Sequence, residues 1–278
     1  MMKMYADLGK TARKLLNDDY VSDAKVKVVS KSSAGTSFTI DSVNNAKSGA
    51  LAGELAIKGT IPGQVVVNSK LNTTGKVSSE MTLDKLGVTG LKLVLTGATG
   101  PGISPAASAK VEYTHKHFAM TSLFDVLGGP TVTASFATGH AGLFAGMEAQ
   151  FKAADNTLSK IDGAISFADS KTSEVTVALL NKASMIKTSY SHSVNSTVSV
   201  AGEVVYNLKD SSKLLTMGAH YVLNPDAVLK TKINTDGNMS TSYITMLQPA
   251  TTLTLSSVLN VKELDKGQKL GISLAYEP

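Results

Sequence analysis

From Lys25 to the end of the chain, apolar and polar residues alternate with a period of two. That is the spacing at which side chains fall on opposite faces of a β-strand. In residues 64–71, Val65, Val67, Ser69 and Leu71 take one face, and Gln64, Val66, Asn68 and Lys70 the other. Leu91, Leu93 and Leu95 oppose Lys92, Val94 and Thr96. Residues 227–234 and 269–276 repeat the pattern. Turn signals separate such runs: Ala34-Gly35, Thr74-Gly75, Gly128-Gly129-Pro130, Asn224-Pro225-Asp226, Asp236-Gly237 and Lys266-Gly267. The rule yields about nineteen strand candidates, from one near Lys25, through one near Gln64, to one near Gln268. The alternation is faintest near Thr131, Leu158 and Ser240. Each strand and its turn then take about 13 residues, of which a tilted membrane strand needs ~9–11, leaving hairpin turns. Residues 97–108, rich in Gly, Ala and Pro, are expected to form a longer loop.

Soluble antiparallel sheets alternate too, with one face in a core. Aromatics are 5% of this chain and Trp is absent, which is poor material for one large packed β core. The apolar set is mostly Leu, Val, Ile, Ala, Thr and Tyr; the opposite set is small, polar or charged. So many strands in one sheet need closure. A membrane barrel satisfies both faces, because lipid covers the apolar one, water fills the polar one, and no edge is left unpaired. No apolar run reaches the ~18 residues of a spanning helix, a test that does not detect barrels. A soluble all-β binding or structural protein stays open as an alternative; it predicts charges among the outward set.

Ahead of the strands, residues 5–16 read as an amphipathic helix. Tyr5, Leu8, Ala12, Leu15 and Leu16 share one face; Lys10, Arg13, Lys14 and Asn17 take the other. Basic residues at 10, 13 and 14 fall where a secretory signal would be apolar. A cleaved presequence is also basic and amphipathic, but Asp7 and the scarcity of Ser and Arg count against one. The expected organisation is a helix and linker over residues 1–24 and a barrel over 25–278.

With the charged face inward, thirteen lysines (Lys25, Lys27, Lys31, Lys58, Lys70, Lys92, Lys110, Lys116, Lys152, Lys187, Lys230, Lys232 and Lys269) meet ten acids, so the lumen is mixed but positive. Lys10, Arg13 and Lys14 are expected to add to the excess. A pore with fixed positive charge concentrates anions. The net charge of +5 is dispersed, whereas a nucleic-acid protein concentrates its basic residues. Cys is absent, which excludes disulfides and thiolate metal sites. There is no G-x-S-x-G, Walker loop, G-x-G-x-x-G or H-E-x-x-H, so no catalytic residue, cofactor or metal is expected. His115 and His117 sit two apart beside Lys116 at an expected turn, where a solvated pair is the simpler reading.

These stretches carry a resemblance. Residues 5–16, "YADLGKTARKLL", resemble the N-terminal helix of the mitochondrial porins, the voltage-dependent anion channels. "GLKLVLT" at residues 90–96 is similar to the family's Gly-Leu-Lys strand start. "NPDAVLKTKIN" (224–234), "YITMLQPATTLTLSSVLN" (243–260) and "GQKLGISLAY" (267–276) resemble its later strands. Nineteen is also the strand number of this family's barrels, so count and resemblance are not independent. The resemblance implies an all-β transmembrane barrel of about 19 strands, the first and last parallel, with the amphipathic α-helix inside the pore. It implies a voltage-gated, weakly anion-selective diffusion pore of the mitochondrial outer membrane, passing ATP, ADP and phosphate. The protein translocase pore of that membrane is a related alternative, expected to have a longer N-terminal extension and more acidic lumen patches.

The partners implied are the lipid bilayer, small anionic metabolites and nucleotides, and further copies of the chain. Of the anion contacts, the resemblance carries over only Lys10, with Ser256 and Asn260 as weaker nucleotide contacts; the inward and helix charges add Arg13, Lys14, Lys25, Lys27, Lys92, Lys230 and Lys232 as expected pore-lining contacts. Lys269, Gly271, Leu274 and Tyr276 match the family's assembly signal. Three departures stand out. The family's glycine-rich hinge is replaced by residues 18–23, "DDYVSD", so a stiffer helix is expected. Asp18 occupies a usually basic position. Ser69 stands where animal members carry a lipid-facing glutamate on the fourth strand.

Overall fold

The computed structural model describes residues 2–33, 35–45, 48–61, 65–84, 87–127, 129–169, 172–264 and 268–278. The strand start at Gln64 and the turn residues Ala34, Gly128, Lys266 and Gly267 lie outside the described residues.

Nineteen strands follow one short helix. They are β1 (Ala24–Lys31), β2 (Ser37–Asn44), β3 (Leu51–Ile61), β4 (Val65–Asn72), β5 (Val77–Asp84) and β6 (Leu91–Gly100). Next come β7 (Ile103–Thr114), β8 (Phe118–Asp125), β9 (Thr131–His140), β10 (Leu143–Lys152), β11 (Thr157–Asp169), β12 (Ser173–Leu180) and β13 (Met185–Ser193). The last are β14 (Val198–Asn207), β15 (Lys213–Asn224), β16 (Ala227–Asn234), β17 (Asn238–Gln248), β18 (Thr251–Asn260) and β19 (Lys269–Tyr276). Every neighbour in sequence pairs antiparallel, and β1 pairs with β19 in parallel to close the ring. An odd strand number forces one parallel seam. The weakly alternating runs near Thr131, Leu158 and Ser240 are full strands, β9, β11 and β17.

The expected long loop at residues 97–108 is instead the β6–β7 hairpin, turning on Pro101 and Gly102. Three glycines and Pro105 disguised it. The ladder shifts register between Ala98 and Gly100, next to Pro105. A bulge is where a residue without an N–H is tolerated.

Register assigns the faces. Val26, Ile40, Leu55, Leu71, Leu95, Phe136 and Met147 point outward and are exposed, and so do Ile165, Val177, Met217, Ile233, Leu255 and Ile272. Among the described residues, charged residues take outward positions only at strand ends, Lys213 at the start of β15 and Asp169 at the end of β11. Ser69 also faces outward, its hydroxyl 3.0 Å from that of Ser79 on β5. Among the described residues no helix is long and apolar enough to cross a membrane, so the strands are the spanning elements.

Small cores lie inside the ring, where the N-terminal segment rests. Ala12, Leu15 and Leu16 pack with Ala201; Leu8 packs with Ala164 and Ala178, flanked by Tyr5 and Phe144. The helix is not continuous over residues 5–16. A 3-10 turn (Tyr5–Asp7) precedes α1 (Lys10–Asn17), and Gly9 between them is left-handed at φ 68°. Only glycine takes that conformation without cost, and it re-aims the chain so that Leu8 still meets the wall.

Candidate functional site

The interior has two kinds of wall. On β11–β15 the inward residues beneath the N-terminal segment are small: Ala164, Ser166, Thr176, Ala178, Ser189, Ser191, Ala201 and Gly218. Glycines mark the closest approaches. A Cβ on Gly218 would lie 2.7 Å from Leu16 Cδ2, and one on Gly271 would lie 2.2 Å from the Val21 carbonyl oxygen. A larger inward residue at either point would lift the segment off the wall.

Polar clasps hold both ends. Near the start, Lys3 reaches the buried Glu174 at 2.5 Å, and Glu174 also accepts from Ser166. At the far end, Lys230 meets Asp19 at 2.6 Å, and Lys232 donates to the Leu16 carbonyl at 2.6 Å. That carbonyl is one of the orphan acceptors at the C-terminus of α1, where a cation is also favoured by the helix dipole. Ser242 and Ser256 both donate to the Asp19 carbonyl, and Val21 N–H donates to Ser256. Asp19 is left-handed at φ 72°. It takes the backbone conformation a glycine would supply, which Asp tolerates better than most residues. It adds a carboxylate that glycine lacks. Burial pushes the Tyr20 phenol up to about 12, Asp19 adding to the effect, so it stays neutral beside Lys232, whose ammonium lies 4.5 Å from its ring. Burial likewise raises Tyr5 to about 12, with Asp162 and Glu148 adding to it.

The opposite wall, β1–β8, is charged and wet. Lys25, Lys70, Lys92 and Lys110 face inward yet keep 37–43% of their side chains exposed, so water reaches them from within. Cross-strand ion pairs order it: Lys25 with Asp41 at 3.1 Å, Lys70 with Glu54 at 2.8 Å, Lys92 and Lys110 with Glu112. Between the two walls, Lys160 bridges Glu148 and Asp162, each at 2.9 Å. Among the described residues Lys58 and Lys152 have no ion-pair partner, and neither do the acids Glu80, Asp84 and Asp125.

The expected contact residues therefore divide. Lys25, Lys27 and Lys92 lie on the open wall, Lys27 paired with Glu277 near the chain end. Lys10, Arg13 and Lys14 are exposed on the face of α1 turned away from the wall. Lys10 pairs with Asp7 at 2.7 Å, and Arg13 donates to the Ala6 carbonyl at 2.6 Å. Lys230 and Lys232 face inward and are engaged by the N-terminal segment. Ser256 is buried under the linker and bonded to it; Asn260 caps the turn after β18. Lys116 is a correction: it lies in the β7–β8 turn between His115 and His117, outside the lumen. Lys160, overlooked in the sequence, takes its place, keeping thirteen lysines against ten acids on the inward face. Residues 2–23 hold four basic and four acidic side chains, so the segment adds no net charge and the positive excess is the wall's own. In the assembly-signal stretch, Lys269 and Gly271 face inward, and Leu274 and Tyr276 outward. Among the described residues no cluster of His, Asp and Glu could hold a metal ion.

Comparison with known proteins bears on this arrangement. A family model described as eukaryotic porin matches residues 2–271. The chain is 27% identical over 277 residues to mitochondrial outer membrane protein porin 2 of Oryza sativa subsp. japonica, covering 99% of this chain and 96% of that one. It is 26% identical over 283 residues to the mitochondrial outer membrane protein porin of 36 kDa of Solanum tuberosum, covering 99% and 98%. It is 27% identical over 285 residues to the outer plastidial membrane protein porin of Pisum sativum, again covering 99% and 98%.

Proposed function

This chain belongs to the eukaryotic porin family, and on that premise we propose that it is a voltage-gated, weakly anion-selective diffusion pore. Its place is the mitochondrial outer membrane, in keeping with the names of its relatives. Its cargo is small metabolite anions such as ATP, ADP and phosphate. The observation that carries this reading is the wet inner wall of β1–β8, whose inward lysines keep contact with water while the outward positions are mostly apolar. A lumen of thirteen lysines against ten acids raises the local anion concentration without excluding cations, which is weak selectivity. The relatives are porins by name, which favours a diffusion pore over a protein translocase pore.

The clasped segment bears on gating. With Asp19, Lys230 and Lys232 engaged, voltage acts on a segment tied to the wall at both ends, so closure proceeds with α1 seated. The test is the purified protein in a planar bilayer under a salt gradient. Stepwise conductance, a reversal potential of anion-preferring sign, and a fall in conductance at high voltage of either sign are expected. Absence of conductance, or a cation-preferring reversal potential, would overturn the reading.

A further inference from the structure

Three of the chain's five histidines gather at one rim of the barrel. His115 and His117 flank Lys116 in the β7–β8 turn, and His140 ends β9. The gathering is on the outer surface. His140 pairs with Leu143, and Thr138 with Ala145, all on the lipid-facing side. A cavity of about 330 Å³ lies there, lined by His117, Thr138, His140 and Leu143 together with Gly139 and Ala145. No carboxylate lines it.

The cavity is built rather than incidental. Thr138 Oγ1 donates to the His117 carbonyl at 3.0 Å, tying the turn to β9, and His115 N–H donates to the Phe118 carbonyl at 2.8 Å. Beside it runs a ladder of outward rings. Phe118 lies 5.0 Å from His115, 5.8 Å from Tyr113 and 6.1 Å from Phe136. Aromatic rings on the outer face near a barrel rim sit at the depth of lipid headgroups. Two imidazoles above an apolar floor, with Lys116 next in the chain to His117, complement one chemistry: a phosphate on a hydrocarbon chain.

We propose that this rim groove binds an anionic phospholipid. The headgroup phosphate is held by Lys116, His117 and His140, and one acyl chain lies along Leu143, Phe136 and Phe118. A free phosphate would leave the apolar floor unfilled, which is why the lipid is the occupant. The groove lies outside the lumen, so the proposal stands or falls separately from the pore's selectivity.

The test uses the full chain in phosphatidylcholine vesicles carrying a small fraction of phosphatidylglycerol with a photoreactive acyl chain. A photoreactive phosphatidylcholine serves as the reference. Phosphatidylglycerol is expected to label β8–β10 in preference to phosphatidylcholine. Lys116→Gln removes one full charge at the surface and is expected to reduce that preference about fivefold. A His117→Ala, His140→Ala double variant should weaken it further while channel conductance persists, which shows the barrel is intact. Equal labelling by the two lipids would overturn the proposal, as would loss of labelling in excess inorganic phosphate or cross-links between two copies across the groove.

Discussion

Under the N-terminal segment, β11–β15 present Ala164, Ser166, Ala178, Ala201 and Gly218; across the lumen, β1–β6 present Lys25, Lys27, Glu54, Lys58, Lys70 and Lys92. Both sets occupy the inward positions of the same alternating pattern. The first wall has apolar surface on both faces, lipid outside and α1 inside. The second has apolar surface outside and water inside. Seating the N-terminal segment buries Leu8, Leu15 and Leu16, each worth about 1.5–3 kcal/mol when fully removed from water. That gain exists only where inward residues are small enough for close approach. The difference teaches that one barrel can combine a packed half with a bare half, and that residue size on the inward positions decides which is which. The bare half rests on its strand ladder and ion pairs alone, so it should open locally at lower free energy.

Filling the cradle breaks the comparison most severely. Gly271→Val would bring a side chain against the Val21 backbone, which has no rotamer with which to yield. Overpacking of this kind costs about 1–3 kcal/mol. The expected outcome is loss of amide exchange protection over residues 10–21 with the strand ladder retained. Gly218→Leu should act in the same direction through Leu16 and the Thr231 carbonyl. Normal protection in both variants would mean the small inward residues do not seat the segment.

The clasp comes next, and its two halves should be unequal. Lys230 keeps only 11% of its side chain exposed, while Asp19 keeps 47%. Asp19→Asn leaves a largely buried ammonium without its counter-charge, at a cost of about 1–2 kcal/mol once screening at the exposed partner is allowed for. Lys230→Met leaves an exposed carboxylate, at a cost under about 1 kcal/mol. Exchange over residues 17–23 should quicken about tenfold in the first variant and less in the second. A variant with glycines restored at residues 18–23 should exchange faster than the natural chain. Equal rates would refute the stiff linker.

On the bare wall the effect moves from stability to selectivity. Lys58→Glu with Lys92→Glu leaves eleven bases against twelve acids on the inward face, so its sign inverts. The reversal potential in a salt gradient should change sign, at a shift in permeability ratio worth about 0.4–0.8 kcal/mol. Protection of α1 should stay unchanged, because neither lysine touches it.

Much of this was legible in residue order. Alternation located the strands because lipid and water impose opposite demands every second residue. The amphipathic stripe of residues 5–16 named the apolar residues that pack on the wall, Tyr5, Leu8, Ala12, Leu15 and Leu16. It hid the break at Gly9, since a left-handed glycine leaves the hydrophobic pattern intact. The engagement of Lys230 and Lys232 was not legible, because their partners Asp19 and Leu16 lie 211 and 216 residues away. An alternating strand looks the same whether its inward lysine meets water or a carboxylate. One signal was present and unused: the Ala, Ser, Thr and Gly that recur at inward positions of β11–β15 between Asp162, Glu174, Lys187 and Glu203 mark the seat of the helix.

The smallest expected effect concerns the face of α1 that touches nothing. Lys10 opens the helix, where its charge opposes the dipole, and Asp7 at 2.7 Å offsets it. The pair is solvent-exposed, so Lys10→Gln should alter the protection of residues 10–17 by no more than about 0.5 kcal/mol in either direction. If Lys10 meets passing phosphate groups, as the family resemblance implies, ATP flux through the pore should fall by a larger fraction than chloride conductance. An equal fall would assign Lys10 only a share of the general field. A change in helix protection above about 1 kcal/mol would show that this face is not free, and that the segment is held from the lumen side as well as from the wall.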